Sequence, residues 1–235
     1  LMEGNPFRAF AEDAAKAALS GVIDGIDNTP YIVSVGCGTA RTEMRLMGHF
    51  QIPRRRLLLV DPDPLSFTSS GDALAAKIDY AYTKDLVRAL PSVEGNCALI
   101  LWYTDPDYAF YDMEAIHMLK PRMVLIAYEA NFTASSLLVQ AWLRSLGLSG
   151  DSAYPTEMLP GPERWFPPKG EYSVSFQRDS ALKDKYGCAR NRIVLLSRNV
   201  TQQPWTEANF TLFEQEFYED ISSQELLKKL INRRI

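Results

Sequence analysis

The chain has 235 residues and a net charge of −4, with 46% hydrophobic and 23% charged residues. These values are typical of a globular protein with one good-sized α/β domain, since domains grow to roughly 250 residues before their cores split. The acidic balance gives no global electrostatic reason to expect nucleic-acid binding, and no window has the ~20 apolar residues of a membrane span.

The cysteines and the N-terminal sequence predict a cellular location. Cys37, Cys97 and Cys188 are odd in number and widely separated, which favours free thiols in a reducing compartment. The N-terminus lacks the charged, apolar and small-residue order of a signal peptide. We therefore expect a soluble, intracellular protein located in the cytoplasm and not at a membrane.

The first predicted element is a helix within residues 5–26, where apolar residues recur at helical spacing. Asn28-Thr29-Pro30 then ends this segment before the first strand. Residues 1–30 are therefore expected to form an N-terminal helical segment. It either packs on the sheet or roofs a ligand pocket.

A strand, a glycine turn and a helix follow between residues 31 and 50. Tyr31–Val35 is an apolar run with Ser34 as its only small polar residue, as in a strand buried on both faces of a parallel sheet. Gly36-Cys37-Gly38 can turn sharply because glycine lacks a Cβ, and residues 39–50 have a helical pattern. This unit is typical of the start of a nucleotide-binding domain.

A second strand at 56–60 ends at Asp61 and Pro62. An acidic residue about 20 residues past the glycines is placed to accept hydrogen bonds from ribose hydroxyls. A helix at 70–78 and a short third strand at 79–82 come next, and Asp85 follows the tip of that strand. Asp85 is there either to meet an adenine amino group or to cap a helix.

The fourth predicted strand, 97–103, is continuously apolar and is broken by Thr104-Asp105-Pro106-Asp107-Tyr108. Ligands of open α/β sheets lie outside the carboxyl ends of the strands, so residues 102–108 are expected to face the same crevice as the glycine turn. A helix at 108–119, a fifth strand at 123–128 and a helix at 131–146 complete the parallel part of the sheet.

The last third of the chain predicts a loop, a hairpin and a tail. Residues 154–170 are rich in proline and carry Trp165 and Phe166, so this loop either exposes aromatic rings as a lid or recognition surface, or packs over the core. Strands at 171–178 and 191–198 are expected to pair as an antiparallel hairpin. Residues 200–235 predict a helical tail, a possible surface for a protein partner.

Together these elements predict a single α/β domain. It is a three-layer sandwich with a mostly parallel seven-stranded sheet that ends in an antiparallel hairpin. With this order of parts, residues 31–198 resemble the class I (Rossmann-like) S-adenosylmethionine-dependent methyltransferases. The resemblance implies a methyltransferase with S-adenosyl-L-methionine as its cofactor.

The resemblance also implies a set of site residues. The glycine turn would lie against the methionine part of the cofactor, Asp61 would hold the ribose, Pro62 would pack on the adenine, and Asp85 with Leu86 would meet the adenine edge. The fourth strand would end where cofactor and substrate meet. The implied cofactor-binding residues are Gly36, Cys37, Gly38, Asp61, Pro62, Asp85, Leu86, Trp102 and Tyr103.

Two positions depart from the first motif of this family. Ser34 stands where members commonly carry an acidic residue, and Ala40 stands where they often have a third glycine. A small alanine still allows close packing. Loss of the carboxylate weakens the expected hold on the amino group of the cofactor.

Methyl transfer needs a nucleophile that is held in line and relieved of its proton. Asp105 is the candidate to orient or deprotonate the acceptor, and Tyr108, Trp165 and Phe166 are candidates to stack a planar group. Asp105-Pro106-Asp107-Tyr108 is similar to the (Asn/Asp/Ser)-Pro-Pro-(Tyr/Phe) motif of amine methyltransferases, with Asp107 in place of the second proline. The acceptor is predicted to be a nucleic acid such as RNA, with protein and small molecules left open.

Two other interpretations stay open. An NAD(P)-dependent oxidoreductase begins with the same unit, but its fingerprint expects glycine where Arg41 stands, and a terminal hairpin does not suit its strand order. A catalytically inactive methyltransferase-like subunit or scaffold is compatible with Ser34 and with the helical tail. A zinc site or a Ser-His-Asp triad lacks its parts, because the histidines are only His49 and His117 and no cysteines cluster.

Overall fold

The structure is a computed structural model that describes residues 6–20, 30–62, 77–102, 111–129, 137–148, 162–179 and 191–199. The α-helices in these ranges are α1 (Pro6–Ser20), α2 (Arg41–His49), α3 (Thr83–Ala89), α4 (Tyr111–Leu119) and α5 (Leu137–Ser145). The strands are β1 (Tyr31–Val35), β2 (Leu57–Val60), β3 (Cys97–Trp102), β4 (Met123–Glu129), β5 (Tyr172–Asp179) and β6 (Asn191–Arg198). Short 3-10 helices span Arg54–Arg56, Pro91–Val93 and Pro162–Trp165.

The six described strands form one sheet in the order β2-β1-β3-β4-β6-β5. Strands β2, β1, β3 and β4 are parallel, β6 is antiparallel to β4, and β5 pairs with β6 as an antiparallel hairpin. The chain runs from β1 to β2 on one side and returns to β3 on the other, so β1 lies at the switch point of the sheet. This topology confirms the predicted α/β fold with its terminal hairpin.

The predicted third strand is much reduced in the described chain. Tyr80 makes a single parallel bridge with Val60, and no ladder extends from it. The Asp79 carboxylate accepts the N–H of Leu59 at 2.9 Å, where a paired strand would offer a backbone carbonyl. The described sheet therefore has six strands and one bridge, where the sequence predicted seven strands.

Both faces of the sheet are covered, which explains the uninterrupted apolar runs of its strands. On one face, alternate residues such as Val33 and Val35 pack with α3, α4 and α5 in one core cluster. On the other face, residues such as Ile32 pack with α1 and α2 in a second cluster. The result is the predicted three-layer sandwich.

Helix α1 packs on the sheet. Its buried residues Ala14, Ala15 and Ala18 share the second core cluster with Ile193 and Leu195 of β6. Small alanine side chains let the helix approach the strands closely, so the sheet-packing alternative for this helix is confirmed and it does not roof a pocket. None of the helices within the described ranges is long and apolar enough to cross a membrane.

The observed bounds differ little from the predicted ones at the strands and more at the helices. β1 and β6 have the predicted ends, whereas α2 begins at Arg41 and α5 ends at Ser145. The predicted helix at 70–78 falls largely outside the described residues, and its last two positions, 77 and 78, are not helical. The predicted tail at 200–235 also lies outside them.

Candidate functional site

The ends of three parallel strands meet at one edge of the sheet. The N–H of Gly36, just past β1, donates to the Val60 carbonyl at 2.9 Å, and Val35 is in register with Leu101, next to Trp102. The N–H of Asp61 donates to the Tyr80 carbonyl at 3.1 Å, which brings the bridge strand to the same edge. This convergence at the switch point places a ligand crevice where open α/β sheets have it.

The glycine turn is tied to the tip of the neighbouring strand. The Gly38 N–H donates to Oδ2 of Asp61 at 2.6 Å, and Asp61 is only 5% exposed. Gly36 and Gly38 both have positive φ, 69° and 53°, a conformation that glycine adopts without the penalty of a Cβ. Asp61 therefore fixes the shape of the turn by accepting one of its backbone N–H groups.

Tyr111, at the start of α4, lies directly against Gly36. A Cβ built on Gly36 would be 2.5 Å from the Tyr111 Oη and 3.0 Å from Cε2, which is closer than side chains pack. Glycine is therefore required here for two reasons, the positive φ and the phenol above it. Tyr111 forms part of the wall of the crevice, and the sequence patterns gave no indication of this role.

A second carboxylate lies behind the glycine turn. Glu43, in the first turn of α2, is only 2% exposed, and its Oε1 accepts a hydrogen bond from the Ser34 Oγ at 2.9 Å. Ser34 is the position where the resemblance led us to expect an acidic residue. The carboxylate missing from the strand is thus supplied at that place by the helix, a residue that the sequence did not single out.

The two carboxylates act on the thiol between the glycines. Burial raises the pKa of Cys37, and the charges of Glu43 and Asp61 raise that pKa further. The Cys37 Sγ lies 3.8 Å from the Val60 carbonyl, to which it donates. Cys37 is therefore an unreactive thiol that shapes the underside of the turn, and the negative potential that it experiences comes from both acidic residues.

Ala40 adopts a left-handed backbone at the end of the turn. Its φ is 53° and its ψ is 21°, and its side chain is fully buried against α1 and α2 in the second core cluster. The resemblance placed a glycine at this position, and the observed backbone is one that glycine favours. The alanine accepts the strain and fills the space, as expected for a mild change.

The predicted adenine-side residues are placed differently from one another. Pro62 is exposed directly after Asp61, and Trp102 is half-buried at the end of β3. Asp85 lies in the first turn of α3, where Tyr82 holds the N-cap position without a side-chain cap, so the capping alternative for Asp85 is wrong. Leu86 is fully buried in the core and its N–H donates to the Tyr82 carbonyl at 3.3 Å, so it offers no group to a ligand.

The aromatic residues of the proline-rich loop belong to the core. Trp165 is 8% exposed, and its carbonyl lies 2.7 Å from Nε2 of the buried His117. Phe166 is half-buried against the same cluster. The expectation of exposed rings is therefore wrong for Trp165, because His117 holds this segment onto α4. The packing alternative describes residues 162–166, and we do not assign a substrate role to Trp165 or Phe166.

The predicted catalytic residues Asp105 and Tyr108, together with Tyr103, lie outside the described residues. Their roles stay predictions. Within the described residues, no group of three or more His, Cys, Asp or Glu side chains is arranged to hold a metal ion.

No protein-family model matches the chain, and no curated protein matches it. Several solved structures are similar. Magnesium protoporphyrin IX methyltransferase (ChlM) from Synechocystis PCC 6803 with bound SAH has a TM-score of 0.42 at 14% identity, over 82% of this chain and 83% of that one. A SAM-dependent methyltransferase from Archaeoglobus fulgidus has a TM-score of 0.41 at 11% identity, over 80% and 94%. The methyltransferase domain of the bacterial CtHen1 has a TM-score of 0.40 at 12% identity, over 80% and 99%.

The likeness to these structures is too distant to carry an argument about chemistry. The assignment of the fold rests on the sheet itself, with its switch point at β1 and its terminal antiparallel hairpin. By this topology the chain has a Rossmann-like fold of the class I methyltransferase type.

Proposed function

We propose that this protein is an S-adenosylmethionine-dependent methyltransferase. The observation that supports this best is the bond from the Gly38 N–H to the Asp61 carboxylate at 2.6 Å. It places an acidic side chain at the mouth of a glycine turn, at the switch point of the sheet. A carboxylate there can accept hydrogen bonds from ribose hydroxyls, as nucleoside cofactors require.

The charge around the turn favours this cofactor over a dinucleotide. Glycine turns that bind pyrophosphate use their free N–H groups and the start of the following helix. Here the Gly38 N–H is given to Asp61, and the first turn of α2 carries the buried Glu43. Two carboxylates repel a pyrophosphate, whereas they suit an adenosine that bears a sulfonium and an ammonium.

The residues around the turn have separate roles in this proposal. Gly36 and Gly38 let the backbone approach the amino-acid part of the cofactor, Asp61 holds the ribose, and Pro62 and Asp85 flank the adenine. Trp102 closes the crevice at the end of β3. When bound, S-adenosylmethionine supplies an electrophilic methyl group, so the task of the protein is to position an acceptor and accept its proton.

The acceptor that we propose is RNA. Asp105 and Tyr108 are the residues proposed to orient and deprotonate it, since they follow directly on β3 in the sequence, and the end of β3 lines the crevice. A stacked base on an aromatic ring would hold a planar acceptor in line. Protein and small-molecule acceptors are the alternatives that an assay separates.

One observation favours a second candidate, an inactive methyltransferase-like subunit. The Tyr111 phenol is pressed onto Gly36, where a ligand would approach the glycine turn. If this ring does not move, the crevice is closed to a cofactor. The chain would then act through its surface alone.

A methyl-transfer assay tests the proposed function. The protein is incubated with S-adenosylmethionine carrying a tritiated methyl group and with separate pools of RNA, protein and small molecules. We expect label in the RNA pool. Transfer to another pool would retain the methyltransferase and replace the acceptor, whereas no transfer to any pool would favour the inactive subunit.

A further inference from the structure

Glu43 is a buried acid whose position is fixed by the strand before the glycine turn. Its Oε1 accepts from Ser34 Oγ at 2.9 Å, and Ser34 itself is fully buried in β1, two residues before Gly36. The hydroxyl donates, so it favours the ionised carboxylate as acceptor. The strand therefore holds the Glu43 charge directly behind the turn.

The surroundings of Glu43 make a cation its natural counterpart. A buried carboxylate is costly unless it is paired, and a cation within reach stabilises it. Asp61 adds a second carboxylate on the other side of the turn, and both charges raise the pKa of Cys37 between the two glycines. The potential that these acids create at the turn is negative.

We infer that Glu43 binds the ammonium group at the amino-acid end of the cofactor, with Ser34 as the positioning residue that orients its carboxylate. This inference rests on the proposed function, and it names a residue that takes over the part of the strand position. An ammonium is the one group of the proposed cofactor that donates hydrogen bonds as a cation. The sulfonium has no N–H or O–H to donate.

Two ligands that differ only at the amino-acid end isolate this contact. S-adenosylhomocysteine and 5′-methylthioadenosine share the adenosine and the thioether sulfur, but the second lacks the ammonium and its carboxylate. Calorimetry measures the affinity of both for the full chain and for Glu43→Gln. We expect the variant to lose about tenfold or more in affinity for S-adenosylhomocysteine, the size of a lost charge-assisted hydrogen bond. The affinity for 5′-methylthioadenosine should stay within about twofold.

Matched controls separate this role from a structural one. Glu94→Gln removes a carboxylate that pairs with Lys120 at the other end of the sheet, and it should change neither affinity. Retained 5′-methylthioadenosine binding shows that Glu43→Gln is folded. If that variant does not melt cooperatively, Glu43→Asp replaces it, and the selective loss is expected there too.

The outcomes are distinct. An equal loss for both ligands, or no loss for either, would overturn the role of Glu43 while the cofactor site stands. Failure of the wild-type chain to bind either ligand would overturn the proposed function, and the inference with it.

Discussion

The backbone nitrogen of Gly38 lies 2.6 Å from Oδ2 of Asp61, so the tip of β2 closes the glycine turn that follows β1. Asp61 thus has a structural task in addition to its predicted contact with a ribose. Its side chain is buried, and removal of its acceptor leaves a turn N–H without that partner. Substitutions at this position must therefore separate stability from binding.

Asp61→Asn should weaken the binding of S-adenosylhomocysteine about tenfold or more while the protein keeps most of its stability. The amide oxygen still accepts the Gly38 N–H, whereas the charged acceptor for the ribose hydroxyls is lost. Asp61→Ala should in addition lower the free energy of unfolding by about 1–3 kcal/mol, the cost of an unsatisfied buried donor. Calorimetry and urea denaturation measure the two effects.

Unchanged affinity in Asp61→Asn would remove the assignment of β2 as the ribose-binding strand. A fall in stability as large as that of Asp61→Ala would show that the turn requires the charge and not only an acceptor.

Gly36→Ala should cost more stability than Gly95→Ala. Both glycines have a φ of 69°, so both variants carry the same left-handed penalty of about 1–2 kcal/mol. A Cβ at Gly95 meets nothing within 4 Å, whereas one at Gly36 meets the Tyr111 ring. We expect an additional cost of about 1–3 kcal/mol at Gly36 from this overlap, measured by urea denaturation.

The double variant Gly36→Ala with Tyr111→Leu tests the cause of that cost. Removal of the phenol should bring the penalty at Gly36 back to that of Gly95→Ala. Equal penalties at the two glycines in the wild-type background would show instead that the Tyr111 ring swings aside freely, and the crevice would then open at little cost.

Stability should fall in acid through His117. Burial lowers the pKa of His117 from 6.5 to about 4, so the folded protein holds the neutral ring. Because the folded pKa lies below the unfolded one, this contribution is complete above about pH 6.5 and is lost as the pH falls towards 4. The shift corresponds to about 3 kcal/mol. Urea denaturation at pH 7 and pH 4 measures it.

The second histidine supplies the control. His49 is exposed, so His49→Gln should keep the wild-type difference between the two pH values. His117→Gln should lower that difference by about 3 kcal/mol, since the titrating ring is gone. The same acid dependence in His117→Gln and wild type would assign the loss to other groups.

Much of the sheet could be predicted because its signal is local. β1 has the predicted ends, since a strand buried on both faces reads as a continuous apolar run that stops at a glycine. The hairpin of β5 and β6 likewise follows from two apolar runs of matching length. The third strand was overestimated because Asp79 uses its side chain in place of the backbone pairing that the pattern suggested.

The candidate site was predictable only in part, since its contacts join distant parts of the chain. The order of strand, glycine turn and acid indicated Gly36, Gly38 and Asp61. The contact of Tyr111 with Gly36 depends on how α4 crosses the sheet, which no local pattern encodes. The bond between Ser34 and Glu43 depends on the rotation of α2.

The loop residue Trp165 shows the same limit from the other side. Its proline-rich surroundings suggested a surface segment, but a hydrogen bond between its carbonyl and His117 fixes it onto α4. Both partners looked ordinary in the sequence. Their pairing became visible only in three dimensions.

The central claim is that the turn between β1 and α2 binds a cationic adenosine derivative and not a phosphate-bearing one. Isothermal titration of the full chain with S-adenosylmethionine and, separately, with NAD tests it most directly. We predict saturable one-to-one binding of S-adenosylmethionine and no heat of binding with NAD at the same concentrations. Binding of NAD without binding of S-adenosylmethionine would contradict the account.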